Sequence, residues 1–316
     1  MDKLIPVVAI VGPTASGKTK LGVDLALEFN GEVISADSMQ IYKGLDIAVA
    51  KPTEEEMQGV KHHLIDFQPI SEPYSVAQYV TAASDVICDI RSRNKTPIIV
   101  GGTGLYVDSL INEISFSDEP KKSELREQLV KEAEDIGKVA MHEKLAQIDP
   151  DYAATLHPNN LGRVIRAIEF FHHTGKTMSE QLEESRRITP VYNPFYIGTN
   201  YRSRDLLYNR INLRVDEMIN SGLLDEARWF YSVYKGKTSA QAIGYKELFP
   251  FINNNADIND CIETLKMQTR RYAKRQITWF NKNKAVNWLC HDDFENYDTL
   301  LYAAKKMVSR FISKDD

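Results

Sequence analysis

The chain has 316 residues, of which 43% are hydrophobic and 26% are charged. This length allows one large α/β domain, or a domain of about 200 residues that carries a smaller one, and the composition excludes a disordered chain. The net charge of −5 argues weakly against a nucleic-acid partner, unless basic residues are concentrated in one segment.

Targeting signals and cysteine pairs are not indicated. Residues 1–5 lack a basic stretch followed by a long apolar run, and no later segment has about 18 consecutive apolar residues. The three cysteines, Cys88, Cys261 and Cys290, are scattered and do not form a CxxC pair. We therefore expect neither a membrane anchor nor a disulfide framework, and we expect a cytoplasmic protein.

The first predicted elements are a strand, a glycine-rich turn and a helix. An apolar run covers residues 5–11, and residues 20–29 have the 3.6-residue periodicity of an amphipathic helix. The turn between them fits the pattern GxxxxGK[ST], with the residues Gly12, Pro13, Thr14, Ala15, Ser16, Gly17, Lys18 and Thr19. Such a loop binds phosphate through its backbone N–H groups and its lysine, and the threonine can hold Mg²⁺. ATP is the default ligand, but any diphosphate would suit these donors.

Two further strand ends carry small polar groups. Asp37 follows the apolar run at residues 32–35, and Thr103 follows the run at residues 97–100. Ligands of parallel α/β sheets bind at the carboxyl ends of the strands, so Asp37 could act as a general base or a metal ligand. By its spacing alone, Asp37 could equally be a helix cap or a turn residue.

The remaining pattern predicts an α/β fold with a helical insertion. Further apolar runs lie at residues 63–66, 195–199 and 285–289, most of them separated by helical stretches, which indicates a parallel sheet flanked by helices. Residues 117–189 show helical patterns and no strand signal. We therefore predict one domain from residues 1–116 and 190–316, and an insertion domain from residues 117–189.

Basic residues are concentrated in the last third of the chain. A predicted helix after Tyr201 carries Arg204, Arg210 and Arg214, and their spacing does not say which of them meets a ligand. Residues 262–284 hold seven basic residues and one acidic residue, so this segment has a charge of +6 and the rest of the chain −11. Aromatic side chains interleave these charges, as they do on many nucleic-acid-binding surfaces, although a solvated helix face stays an alternative.

Several motifs together resemble those of the tRNA dimethylallyltransferase (isopentenyltransferase) family. They are GPTASGKT at residues 12–19, ISADSMQIY at 34–42 and VGGTGLY at 100–106, in the order and at the separations typical of the family. Later segments agree with the resemblance, namely RVIRAIE at 163–169, AIGYKE at 242–247 and TRRYAKRQITWF at 269–280. A phosphate-binding loop alone is common, but its combination with DSMQIY and RRYAKRQITWF is far more selective. The absence of a zinc-finger extension resembles the bacterial form.

The resemblance implies a P-loop NTPase-like sheet and a prenyl transfer that consumes no ATP. Its donor would be dimethylallyl diphosphate, its acceptor N6 of the adenosine at position 37 of tRNA, and its product diphosphate. Asp37 would accept the N6 proton, Thr103 would orient the adenine, Arg210 would contact the diphosphate, and Mg²⁺ would bind at Thr19. We expect a monomer without an obligate protein partner.

The resemblance also implies a surface for the tRNA anticodon stem-loop. Its residues would be Asp37, Ser38, Met39, Gln40, Thr103, Arg126, Arg163, Arg166, Gly244, Tyr245, Lys246, Arg270, Arg271, Lys274, Arg275, Gln276 and Trp279. Three alternatives remain, an ATP-dependent small-molecule kinase, an adenylate isopentenyltransferase and a non-catalytic RNA-binding NTPase. A free nucleotide, however, would need neither the insertion nor the basic helix.

Overall fold

The computed structural model describes residues 4–112, 124–186, 190–233 and 242–313. The chain divides into two compact units. Unit 1 consists of Met1–Ile111 with Pro190–Asp316, and unit 2 consists of Asn112–Thr189.

Unit 1 contains a parallel sheet whose strands have the order β3-β2-β4-β1-β5-β6. The strands are β1 (Ile5–Val11), β2 (Gly31–Ser35), β3 (His62–His63), β4 (Thr96–Gly101), β5 (Tyr192–Asn200) and β6 (Asn287–Cys290). The parallel sheet predicted from the sequence is therefore confirmed. The strand predicted at residues 63–66 is wrong in extent, because Leu64 and Asp66 adopt positive φ angles of 57° and 55°, which end the extended backbone.

Helices surround this sheet and form the regular part of unit 2. In unit 1 they are α1 (Lys18–Glu28), α2 (Glu54–Met57), α3 (Val76–Ser92), α4 (Gly104–Ile111), α9 (Arg204–Asn220), α10 (Leu223–Val233), α11 (Phe249–Ile252), α12 (Ile258–Phe280) and α13 (Tyr297–Ile312). Those of unit 2 are α5 (Glu124–Ile148), α6 (Pro150–Ala154), α7 (Leu161–Thr174) and α8 (Met178–Arg186).

The sheet is buried on both faces, as the continuous apolar runs of its strands predict. Alternate side chains of β1 point to opposite sides. Val7 and Ala9 pack in a cluster with residues of α3 and α4, whereas Val8 and Ile10 pack with residues of α1 and α13. The central strands are therefore held rigidly, and the loops at their carboxyl ends have a fixed base.

A third cluster lies beside the sheet and is formed by α9 to α12. Ile41, Leu45, Leu223, Phe230 and Leu265 are completely or almost completely buried in it. This cluster joins the segment after β2 to the C-terminal helices. It thereby places parts of α9 and α12 next to the carboxyl ends of the strands.

Unit 2 has an apolar core of its own. Leu129 and Leu145 of α5 pack with Val164 and Ile168 of α7, and all four side chains are buried. Within residues 124–186, each regular element is a helix. This agrees with the helical periodicity seen in the sequence of that segment.

Candidate active site

The predicted phosphate-binding loop connects β1 to α1. Gly17 is the N-cap of α1 and Lys18 is the first residue of the helix. The Lys18 Nζ donates a hydrogen bond to the carbonyl oxygen of Pro13 at 2.6 Å, so the side chain folds back over the loop. A helix N-terminus, backbone N–H groups and one ammonium group thus converge at this end of the sheet, which is the arrangement that binds phosphate.

Asp37 lies two residues beyond the end of β2, and one of its oxygens organises a turn. Its Oδ1 accepts hydrogen bonds from the backbone N–H of Met39 at 2.9 Å and of Gln40 at 3.4 Å. The turn role that the sequence left open is therefore present. Among the described residues, the hydrogen bonds of Asp37 use only Oδ1. Oδ2 is thus the oxygen that could accept a proton from a ligand.

Thr103 joins the ends of β2 and β4. Its backbone N–H donates to the carbonyl oxygen of Ala36 at 3.1 Å, and its Oγ1 accepts the backbone N–H of Ser38 at 3.1 Å. The residues that flank Asp37 on both sides are therefore bound to Thr103. The structure brings together the two polar strand ends that the sequence predicted to meet at one edge of the sheet.

A cavity of about 500 Å³ opens over these strand ends. Its volume lies in the range of small-molecule sites. The polar part of its wall includes Lys18, Thr19, Asp37, Arg214 and Gln276. An apolar part is formed by Ala48, Val49, Ala50, Ile211, Val215, Met218, Ala242, Ile243 and Leu265. The cavity therefore combines cations and a carboxylate with an aliphatic wall, which suits a ligand that is charged at one end and apolar at the other.

Burial dominates the electrostatics of this cavity. It lowers the pKa of Lys18 to about 7, and the nearby Arg214 cation adds to this shift. Burial also raises the pKa of Asp37, against the opposing effects of the Met39 and Gln40 N–H groups and of the cations Lys18 and Arg214. A carboxylate whose pKa is raised binds a proton more readily, and perturbed groups of this kind cluster at functional sites.

Arg214, rather than the predicted Arg210, lines the cavity. Arg210 is exposed, its Nε donates to the carbonyl oxygen of Ala15 at 3.2 Å, and its guanidinium lies over the Tyr201 ring. Arg204 is also exposed. Helical periodicity could not separate Arg210 from Arg214, because residues four apart lie on the same face. The choice depends on the packing of α9 against α12 and the phosphate-binding loop.

Helix α12 contributes side chains that the sequence placed in a tRNA-binding surface. Gln276 is buried, and its Oε1 accepts the backbone N–H of Thr14 at 2.8 Å while its Nε2 donates to the carbonyl oxygen of Gly102 at 3.0 Å. Gln276 is therefore inside the protein, where it connects two loops. A Cβ at Gly102 would lie 2.1 Å from the Gln276 Nε2, so only glycine allows this approach.

Tyr272, one of the aromatic residues that interleave the basic residues of segment 262–284, lines the cavity. Its hydroxyl lies near the side chains of Thr103 and Gln276, and burial raises its pKa, so it is a neutral phenol. It lies one helical turn before Gln276 on α12, and this spacing places both side chains on the same face of the helix.

The other predicted tRNA-binding residues of unit 1 fall into different environments. Ser38, Met39, Gln40, Gly244, Lys246 and Arg275 line the cavity, whereas Arg271 and Lys274 are exposed. Arg270 is half-buried and donates to Asn212 Oδ1 at 2.6 Å, and the Trp279 Nε1 donates to Asp108 Oδ2 at 2.7 Å.

Tyr245 does not fit the predicted role, because its side chain is completely buried in the cluster of α9 to α12. Its hydroxyl donates to Glu226 Oε1 at 2.7 Å. The side chain is therefore part of the core and not of a surface that RNA could contact.

The predicted tRNA-binding arginines of unit 2 are exposed on its helices. Arg163 and Arg166 lie on α7, and Arg126 lies on α5, where its guanidinium forms an ion pair with Glu169 at 2.9 Å. Their exposure leaves them accessible to a polyanion.

Neither a membrane span nor a protein-only metal cluster is found in the described parts of the chain. None of the helices there combines the length and the apolar content needed to cross a lipid bilayer. The same residues contain no group of three histidine, cysteine, aspartate or glutamate side chains placed to hold a metal ion. Oxygen donors for Mg²⁺ do occur in the cavity, where Thr19 and Asp37 both line the wall.

Comparisons with known proteins agree on one family. The family model "IPP transferase" matches residues 40–283. The chain is 49% identical to the tRNA dimethylallyltransferase of Bacillus subtilis, over 90% of each chain, and 48% identical to that of Caldanaerobacter subterraneus, over 94% of this chain and 95% of the relative.

Solved structures give the same result. The crystal structure of a tRNA isopentenylpyrophosphate transferase from Bacillus halodurans has a TM-score of 0.74 and 43% identity, and the match covers 99% of this chain and 98% of the other. The structure of a eukaryotic dimethylallyltransferase acting on tRNA has a TM-score of 0.85 and 32% identity, over 98% and 80% of the two chains. Together with the phosphate-binding loop, the polar strand ends and the cavity, these matches show that the chain belongs to the tRNA dimethylallyltransferase family of prenyltransferases.

Proposed function

We propose that this protein transfers the dimethylallyl group of dimethylallyl diphosphate to N6 of the adenosine at position 37 of tRNA, with release of diphosphate. The observation that carries the proposal is a cavity in which the phosphate-binding loop, an aliphatic wall and the Asp37 carboxylate meet. A diphosphate joined to a short branched hydrocarbon matches this combination of surfaces. The enzyme acts as a cytoplasmic monomer in this proposal.

The donor diphosphate lies on the loop N–H groups, with Lys18 and Arg214 as cations. Both cations line the cavity. Burial is the main cause of the lowered pKa of Lys18, and Arg214 lies close enough to add to it, so both cations can act on one anion. The Thr19 hydroxyl would help to hold Mg²⁺, which would supply further positive charge for the leaving diphosphate. Charge grows on the diphosphate as it departs, so fixed cations there stabilise the transition state more than the ground state.

Asp37 accepts the proton that the adenine N6 loses. The bond between N6 and the allylic carbon forms, the carbon–oxygen bond to diphosphate breaks, and its electron pair leaves with the diphosphate. Oδ2 of Asp37 takes the N6 proton, and the raised pKa of this carboxyl favours that step. Thr103 and Tyr272, whose side chains lie near each other, orient the base beside it.

The tRNA substrate is bound by exposed basic residues outside the cavity. Arg271 and Lys274 of α12 are exposed, and so are Arg126, Arg163 and Arg166 of unit 2. Cations on an accessible surface bind the phosphates of an anticodon stem and position it without reading its bases. The target adenosine must leave its stack to enter the cavity, as happens in other enzymes that modify a base.

The proposal is tested with radiolabelled dimethylallyl diphosphate, Mg²⁺ and three acceptors, namely unmodified tRNA, the same tRNA with guanosine at position 37, and AMP. We expect label only in the first tRNA, and nucleoside digestion should place it on N6 of adenosine. Label in AMP but not in tRNA would instead show an adenylate isopentenyltransferase. Consumption of ATP with phosphorylation of a small molecule, and no prenyl transfer, would show a kinase.

A further inference from the structure

The carboxylate of Glu226 on α10 binds three successive backbone N–H groups of the loop after β2. Its Oε2 accepts from Asp46 at 3.0 Å and from Ile47 at 2.8 Å, and its Oε1 accepts from Ala48 at 3.0 Å. Three N–H groups that point at one carboxylate form an anion-binding nest, and charge-assisted hydrogen bonds of this kind are stronger than neutral ones. We call these three hydrogen bonds the Glu226 clasp.

The clasp is anchored in the core of unit 1. The hydroxyl of the buried Tyr245 donates to Glu226 Oε1 at 2.7 Å, and the Tyr245 ring packs against Phe230 of α10 at a centroid distance of 4.5 Å. The Glu226 carboxylate therefore has a fixed position, and its hydrogen bonds to the backbone N–H groups fix the position of the loop.

A close backbone approach holds the same loop from a second side. Gly244 has a φ angle of +120°, and a Cβ at this position would lie 2.7 Å from the Cβ of Ala48. Only glycine combines this backbone angle with this contact. The Gly244 N–H donates to Glu247 Oε2 at 2.9 Å, so this segment is fixed in turn.

The clasped loop continues directly into the wall of the cavity. Ala48, Val49 and Ala50 line it, and Gln40 Nε2 donates to the carbonyl oxygens of Val49 at 3.2 Å and Ala50 at 3.0 Å. Met218 and Ile243 line the same cavity. The position of Ala48, Val49 and Ala50 thus limits the space available to the hydrocarbon part of a ligand.

We propose that Glu226 is a positioning residue that sets the aliphatic wall of the donor site and so restricts the donor to a five-carbon chain. This inference rests on the proposed function. Glu226 touches no substrate and acts through the backbone of residues 46–48. Its carboxylate accepts four hydrogen bonds from the residues that the structure describes, and a glutamine amide, which has one acceptor oxygen and a donor NH₂, cannot replace all of them. Loss of the clasp lets the wall move outward, and a longer prenyl chain then fits better.

The test compares Glu226→Gln with Asp225→Asn, a neutralisation at the neighbouring position. Asp225 is exposed and pairs with Arg228, so this control removes a carboxylate that does not contact the loop. Tyr245→Phe removes only the anchoring hydrogen bond. For each protein we would measure amide hydrogen exchange at Ile47 and Ala48 without substrate, and the kcat and KM values for dimethylallyl and geranyl diphosphate with tRNA.

We expect Glu226→Gln to speed exchange at both amides and to raise the KM for dimethylallyl diphosphate about tenfold, the size expected for lost charge-assisted hydrogen bonds. The preference of kcat/KM for the five-carbon over the ten-carbon donor should fall by a similar factor. Tyr245→Phe should show a smaller effect in the same direction, and Asp225→Asn should match the parent in all measurements.

An unchanged donor preference in Glu226→Gln, together with a lower melting temperature, would overturn the proposal and leave Glu226 a structural residue only. Unchanged exchange would show that the clasp does not hold the loop. If the parent itself transfers no prenyl group to tRNA, the proposed function fails, whereas the exchange data still test the clasp.

Discussion

Gln276 holds Thr14 of the phosphate-binding loop, because its side-chain Oε1 accepts the Thr14 backbone N–H at 2.8 Å. The same side chain donates to the carbonyl oxygen of Gly102, in the loop that leads to Thr103. One buried amide on α12 therefore couples the phosphate-binding loop to the loop that leads to Thr103. The helix that carries exposed cations thus also holds two loops of the cavity together.

Gln276→Ala should raise the KM for dimethylallyl diphosphate about tenfold, since Thr14 and Gly102 would each lose a buried hydrogen bond. Steady-state kinetics with saturating tRNA would measure this. Thr278→Ala is the control, because Thr278 is exposed on the same helix and its Oγ1 donates only within the helix. Equal KM values for the two variants would show that the loop keeps its shape without Gln276.

Asp37→Asn should lower the single-turnover rate by roughly two to four orders of magnitude while both substrates still bind. Asparagine keeps an oxygen for the N–H groups of Met39 and Gln40, so the turn is retained and only the proton acceptor is lost. A thermal melt would verify that the fold is intact. A rate near that of the parent would reduce Asp37 to the turn residue that its spacing also allowed.

Arg214→Gln should impair transfer more than Arg210→Gln, by about ten- to a hundredfold in kcat/KM for the donor. Arg214 lines the cavity, whereas Arg210 is exposed and donates a hydrogen bond to the carbonyl oxygen of Ala15. Kinetics of both variants at saturating tRNA would rank them. A larger loss of kcat/KM in the Arg210 variant would show that Arg210, and not Arg214, contacts the diphosphate.

Near neutral pH, Lys18 should take up a proton when the donor binds. The pKa of Lys18 is about 7 without ligand, and a bound diphosphate stabilises its charged form and raises this pKa. Affinity should therefore be greatest below pH 7, and it should fall as the pH rises from about 7 towards the pKa of the bound state. Calorimetry in buffers of different ionisation enthalpy would measure the uptake. Lys18→Met is the control for the titration of diphosphate itself, and equal uptake in both proteins would contradict the assignment.

Charge reversal at Arg271 and Lys274 should weaken tRNA binding and make its salt dependence less steep. Each phosphate contact that is lost reduces the number of counterions released when the tRNA binds. Both residues are exposed on α12. The matched control reverses Lys306 and Arg310, two exposed cations on α13. Binding titrations over a range of salt concentrations would give the slopes. Equal slopes for the two double variants would make this part of α12 an ordinary solvated face.

The sequence by itself determined the parallel sheet, the phosphate-binding loop and the meeting of Asp37 with Thr103. All three follow from local order, because apolar runs that alternate with helices place every strand end at one edge of the sheet. Motif spacing also sufficed for the resemblance to the family, which the comparisons confirm.

Tertiary structure alone decided which side chains enter the cavity. Arg210 and Arg214 share a helix face, and only the packing of α9 places Arg214 inside. Tyr245 and Gln276 belong to motifs that suggested RNA contact, but burial makes the first a core residue and the second a link between loops. Glu226 has no motif at all, because its partners are backbone N–H groups about 180 positions away, and backbone groups leave no trace in a sequence.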